Sequence, residues 1–276
     1  MKQVRAIAAA KINLALVVGP PRADGLHEVA TILQRIDICD RIELTPGDGL
    51  TIEGFPGDTI VRAALVRLAE VAGIEPSWRV RITKEIPVAA GLGGGSADAA
   101  AALRLANAAL PKPLARQELH ALAAELGADV PFFLEPGPKL AEGSGERLTP
   151  LELPQDFWVV VALAREIEKG STGMVYGRFD ELGGGPDFAR RKDELRQALG
   201  EARRSADLAT LPPNDLAEAS GAAALAARLR VAGAFRADVS GAGPAVYGLF
   251  ENRSDARSAA DGLGRRVRAW VAASVW

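Results

Sequence analysis

The chain has 276 residues, of which 48% are hydrophobic and 25% charged, with a formal net charge of −2. This is the balance of a globular protein that buries a core, and the length suits one large domain or two modest ones. The near-neutral charge excludes global attraction to nucleic acid or an anionic membrane, and the single cysteine, Cys39, excludes an internal disulfide framework.

Residues 4–18 predict a strand. Val4, Ala6, Ala8, Ile12, Leu14, Leu16 and Val18 share one parity. Lys11 and Asn13 share the other, so they should project from the same face. Lys2 and Arg5 ahead of an apolar run superficially resemble a signal peptide. Lys11 and Asn13 interrupt that run, and no stretch of transmembrane length lacks charge, so a cytoplasmic chain is expected. Further strands are predicted at 29–38 and 41–45, with Cys39 as a small apolar residue between them. Asp58 caps a helix over 59–72, which Gly73 ends. Residues 78–86 alternate up to Ile82 as a half-buried strand does. A helix over 97–110 takes Ser96 as its N-cap and stops at Pro111. Another covers 115–126 and stops at Gly127.

The Pro-rich stretch 150–156 divides the chain into two α+β halves, 1–153 and 154–276. The second half opens with a strand over 157–163. Helices follow near 172–181, 190–204, 214–229 and 254–263. Residues 237–250 read as two short strands bent around Gly241-Ala242-Gly243-Pro244, and a last strand covers 267–275.

The segment Pro87-Val88-Ala89-Ala90-Gly91-Leu92-Gly93-Gly94-Gly95-Ser96-Ala97 lies between a predicted strand and a predicted helix. Glycine lets backbone approach a ligand closely, and a helix start favours negative charge, so a phosphate site is expected here. No lysine follows the glycines, which excludes a Walker loop. The dinucleotide spacing also fails, because its third glycine position falls on Ser96 or Asp98. A plain linker is not normally set between a good strand and a good helix. Gly183-Gly184-Gly185-Pro186, by contrast, reads as an ordinary loop. A cradle without its own lysine needs a cation from elsewhere. Lys11 is a candidate, although a lysine there also reads as a snorkelling side chain or a simple ion pair. Asp129, after a helix stop and before Val130-Pro131-Phe132-Phe133, reads as a base beside buried surface or as a cap ahead of proline. Two histidines, His27 and His120, are too few for a transition-metal site, and no metal ligands are assigned.

The pattern Pro87-x-x-x-Gly91-Leu92-Gly93-Gly94-Gly95-Ser96-x-x-Ala99-Ala100 resembles the phosphate loop of the GHMP kinases, the galacto-, homoserine, mevalonate and phosphomevalonate kinases. Further stretches match in the family's order from end to end. They are Ala10–Leu14, Arg22–Glu28, Gly127–Phe133, Asn214–Leu216 and Ser240–Pro244. The closer match is to a branch whose substrate is a cytidine diphosphate alcohol.

The resemblance implies a two-domain fold, with a first domain like domain 2 of ribosomal protein S5 and a ferredoxin-like second domain. It implies ATP with Mg²⁺, residues 87–97 around the nucleotide, and Lys11 with Asp129 as the catalytic pair. Asn13, His27, Thr172 and Gly241 then line the small-molecule pocket, with His27 reading the cytosine. A monomer or weak homodimer is expected, with no nucleic-acid or membrane partner. Other outcomes left open are a homoserine- or mevalonate-type kinase, or a non-catalytic nucleotide-binding regulator. Two departures stand out: Leu26 replaces the family's usual tyrosine, and the family's proline before Ser171-Thr172 is missing.

Overall fold

The apolar alternation at the start of the chain builds two long strands. In the computed structural model, which describes residues 3–166 and 171–276, β1 runs Val4–Pro21 and β2 runs His27–Pro46. The strands expected at 29–38 and 41–45 are therefore one. The polar Asp40 does not break it, because its Oδ1 accepts the Glu85 and Ile86 backbone N–H groups at 2.6 and 2.9 Å.

The described residues form two compact units that interleave along the chain. One comprises residues 3–10, Ile38–Val88 and Gly93–Pro136; the other comprises Lys11–Asp37, Ala89–Leu92 and Gly137–Trp276. The expected division after residue 153 is a cut along the chain, whereas β1 and β2 each contribute to both units.

In the first unit the end of β2 pairs antiparallel with β4 (Trp78–Thr83), Ile42 opposite Ile82 and Leu44 opposite Val80; β3 (Thr51–Glu53) runs parallel on the other side of β4. Strict alternation in β4 buries Trp78, Val80 and Ile82. Helix α1 (Ile60–Ala72) buries Val61, Ala64, Leu65, Leu68 and Ala69, one face of a 3.6-residue period. Asp58 caps it by accepting the Val61 and Arg62 N–H groups, each at 3.1 Å. Helix α2 (Gly94–Ala109) packs on α1 through an alanine-rich face, which lets the two axes come close. Helix α3 (Arg116–Leu126) and the 3₁₀ turn Pro131–Leu134 complete the unit.

In the second unit β10 (Val267–Val275), β7 (Trp158–Ala164), β9 (Val246–Phe250) and β8 (Arg236–Val239) form an antiparallel sheet in that order. The end of β10 meets β2 at Arg35 and Ile36. A hairpin of β5 (Lys139–Gly143) and β6 (Arg147–Pro150), absent from the sequence reading, joins the start of β2. Helices α4 (Thr172–Glu181) and α5 (Phe188–Glu201) follow β7, while α6 (Ala223–Val231) and α7 (Arg253–Gly262) cover the sheet, Leu229 of α6 and Ala256 of α7 sharing a core with Val160, Val246 and Phe250. The helix expected over 214–229 is shorter. Asn214 Oδ1 accepts the Leu216 N–H at 2.9 Å, a local bond that competes with a helical start. Largely antiparallel sheets with separate helices make this an α+β protein. Among the described residues no helix is long and apolar enough to cross a membrane.

Candidate active site

Lys11 and Asn13 project together, as their shared parity requires, and each is only 4% exposed. Lys11 Nζ donates to Asn13 Oδ1 at 2.6 Å, Asn13 Nδ2 donates to Thr31 Oγ1 at 2.8 Å, and Thr31 Oγ1 donates to the Ala15 carbonyl at 2.6 Å. The chain of bonds fixes which way the Asn13 amide faces. Such satisfaction is what lets polar groups stay buried.

Two backbone segments of the same unit border this pair. Residues Ala89–Leu92 form a strap: the Leu92 carbonyl accepts the Lys11 N–H at 2.9 Å, the Ala90 carbonyl accepts the Ala245 N–H at 3.0 Å, and the Gly91 carbonyl accepts Ser240 Oγ–H at 3.0 Å. Gly91 has φ +83°, and a Cβ there would sit 2.2 Å from the Ser240 carbonyl, so only glycine fits. The turn at Gly241 comes next: a Cβ there would lie 3.3 Å from Lys11 Nζ and 3.4 Å from Asn13 Oδ1. Asn214 holds this turn by donating to the Val239 and Gly241 carbonyls at 2.9 and 2.8 Å. The structure thus brings Lys11, Asn13, Gly91 and Gly241 together.

In the first unit the glycines open α2. The sequence places Ser96 at the N-cap, but the structure corrects this. Gly93, at φ +70°, occupies the cap without a side-chain bond, the Ala97 N–H bonds the Gly93 carbonyl at 2.9 Å, and Ser96 lies in the first turn. The left-handed glycine turns the chain into the helix earlier than a serine cap would. First-turn N–H groups with no capping side chain are a ready anion site.

Beneath them Lys84 bridges two carboxylates. Its Nζ hydrogen-bonds Asp40 Oδ2, and Asp98 Oδ2 at 2.8 Å. It would lie 3.3 Å from a Cβ at Gly94. Burial pushes Asp98 up to about 7, the Lys84 hydrogen bond pulling back and the Asp40 charge adding to the rise. Burial alone would lower Lys84, but its bonds to the two carboxylates leave it raised. Asp98 Oδ1 is buried without a hydrogen-bond partner.

Asp129 is half-buried in the turn that follows α3. The Val130 N–H bonds the Gly127 carbonyl and the Phe133 N–H bonds the Val130 carbonyl, each at 3.1 Å, while Val130 and Phe132 are fully buried. Asp129 belongs to the first unit and Lys11 to the second.

His27, the first residue of β2, is 8% exposed. Its Nε2 lies 2.8 Å from Asp180 Oδ1, and its ring centroid lies 4.9 Å from that of Tyr176. Thr172 opens α4, where Ser171 caps the helix by accepting the Met174 N–H at 3.2 Å. Leu26 is 52% exposed. The position of the missing proline falls in residues 167–170, outside those described. Tyr176, Asp180, Asn214 and Lys84 were not picked out as site residues from sequence. The one signal for the first two is an aromatic and an acid four residues apart on a predicted helix.

No group of three or more His, Cys, Asp or Glu side chains among the described residues is arranged to hold a metal. Asp98 is spoken for by Lys84. The residues fit an ion that arrives with nucleotide phosphates and needs one or two protein oxygens, for which Ser96 is available.

The GHMP kinases N terminal domain model matches residues 58–137, and the GHMP kinases C terminal model matches 189–269. A 4-diphosphocytidyl-2-C-methyl-D-erythritol kinase of Anaeromyxobacter sp. (strain Fw109-5) is 39% identical, over 96% of this chain and 88% of its own length. The enzyme of that name from Nocardia farcinica is 41% identical, over 95% of this chain and 91% of its own length. A crystal structure of 4-(cytidine 5'-diphospho)-2C-methyl-D-erythritol kinase superposes with a TM-score of 0.80 at 34% identity, covering 99% of this chain and 100% of that one. The Methanococcus jannaschii mevalonate kinase shares the fold, with a TM-score of 0.76 at 13% identity over 100% of this chain and 99% of that one.

Proposed function

The chain belongs to the GHMP kinase family, and we propose that it transfers the γ-phosphoryl group of ATP to the 2-hydroxyl of 4-diphosphocytidyl-2-C-methyl-D-erythritol, in the non-mevalonate route to isoprenoid precursors. Near full-length similarity at 39–41% identity to relatives of that name supports this assignment over the mevalonate branch.

Phosphoryl transfer is mostly positioning and charge stabilisation. Asp129 accepts the proton of the substrate hydroxyl, whose oxygen forms the new bond to the γ-phosphorus as the bond to the departing ADP breaks. Lys11, oriented by the Asn13 amide, stabilises the developing charge. The first turn of α2 and the strap around Gly91 receive the nucleotide phosphates. Ser96 is the residue that would hold a Mg²⁺ ion arriving with ATP, which would supply neutralisation of phosphate charge. Asn13 and Gly241 border the substrate beside Lys11, while His27 and Thr172 take its cytidine diphosphate end. Leu26 offers no aromatic face to the base; Tyr176, against His27, supplies one.

The test is ADP release with the cytidine substrate, homoserine and mevalonate as alternative acceptors. Turnover on the cytidine substrate alone is expected. Turnover on homoserine or mevalonate instead moves the chain to another branch. ATP binding with no turnover on any acceptor makes it a regulator.

A further inference from the structure

His27 is gripped by one stripe of α4. Tyr176, Phe179 and Asp180 stand at i, i+3 and i+4, so their side chains share a face. The Tyr176 ring is tilted 39° against the imidazole at 4.9 Å between centroids, and Phe179 meets it edge-on at 6.2 Å. The two rings limit how the imidazole turns. Asp180 Oδ1, 2.8 Å from Nε2, decides where its proton sits. An ionised carboxylate only accepts hydrogen bonds. In the neutral ring Nε2 therefore carries the hydrogen, and Nδ1 keeps a lone pair.

We infer that Asp180 is a positioning residue for base selection: by holding His27 Nε2–H it presents Nδ1 as an acceptor, which favours cytosine over uracil. This rests on the assignment of His27 to the cytidine end of the substrate. Cytosine offers an amino donor where uracil, like thymine, has a carbonyl acceptor. An acceptor facing that carbonyl leaves both groups unpaired, so the contact discriminates by penalising the wrong base. Without Asp180 the imidazole is free to carry its proton on Nδ1, the tautomer that suits uracil. A purely structural role for the pair predicts a loss of stability with the base preference unchanged.

The chain has two histidines, so ¹⁵N spectra of the labelled protein resolve the tautomer of His27 against that of His120. The wild-type protein should show the Nε2–H form and prefer the cytidine substrate over its uridine analogue by at least about tenfold in kcat/KM. Asp180→Ala should raise KM for the cytidine substrate about tenfold, leave kcat within about twofold, narrow the preference, and lose the dominant Nε2–H signal. Asp180→Asn keeps an acceptor oxygen at the same reach and should restore most of the preference. An Asp180→Ala protein that keeps the Nε2–H form, or loses it with the preference intact, overturns the inference. His27→Ala separates the two levels. If it leaves the preference untouched, the assignment of His27 to the base fails. If it abolishes the preference while Asp180→Ala does not, only the role of Asp180 fails.

Discussion

Lys11 and Lys84 are both withdrawn from solvent, in different units and in different company. Lys11 takes part in a run of hydrogen bonds through the neutral side chains of Asn13 and Thr31. Lys84, its side chain 14% exposed, is bracketed by the carboxylates of Asp40 and Asp98, which are 0% and 2% exposed. Two buried carboxylates demand a cation, and leaving them without one is strongly unfavourable. Neither Asn13 nor Thr31 demands a charge, since an amide oxygen accepts equally from a neutral donor. The fold therefore uses the charge of Lys84 to hold two carboxylates, whereas the use proposed for the charge of Lys11 is in the transfer step.

The largest expected effect tests that distinction on the chemical side. Lys11→Met should lower kcat about a thousandfold, the scale set by losing a donor that stabilises transition-state charge. Unfolding in urea should shift by about 1–2 kcal/mol, since the buried Asn13 Oδ1 loses its charged donor. Lys84→Met should do the reverse. It strands Asp40 and Asp98, so stability should fall by about 3 kcal/mol, with the folded fraction keeping far more activity than Lys11→Met. If Lys11→Met unfolds the protein and Lys84→Met mainly silences it, the comparison is the wrong way round.

Asp98 sharpens the contrast through pH. Its folded pKa is raised to about 7, against 3.8 when unperturbed, chiefly by burial. The folded chain thus binds more protons than the unfolded chain between those values, and by linkage stability falls as pH rises through that window. Asp98→Asn removes the ionisation while keeping the side chain's size. It should be more stable than wild type at pH 8 by on the order of 2 kcal/mol and should equal it near pH 4. Denaturation midpoints across that range supply the check. Parallel curves for the two proteins would mean that Asp98 stays ionised beside Lys84 throughout.

How far the sequence reaches follows the range of each interaction. Lys11 and Asn13 are two residues apart on one strand, so parity alone places them together. The glycine loop is legible because its strand, turn and helix are contiguous. The Lys84 bridge to Asp40 spans 44 residues, and the His27 contact with Asp180 spans 153. No local period encodes either. Ser96 misleads for a different reason: its capping preference competes with a left-handed glycine three residues earlier, and Gly93 wins. The β5–β6 hairpin escapes because its strands have only five and four residues, too short for alternation to stand out.

The smallest expected effect concerns Ala89, the one non-glycine residue with positive φ among the described residues, at +61°. An L side chain there costs about 1 kcal/mol or more. The strap imposes that conformation, since the Ala90 and Gly91 carbonyls are bonded to Ala245 and Ser240. Glycine at residue 89 would relieve the strain but lose about 0.7 kcal/mol to the greater freedom of the unfolded chain. The difference leaves Ala89→Gly more stable by about 0.3 kcal/mol. Ala89→Val carries a branched Cβ into the same region and should be destabilising by about 1 kcal/mol. Equal midpoints for all three proteins would mean that the strap relaxes at residue 89. The bonds from Ala90 and Gly91 would then hold it without strain.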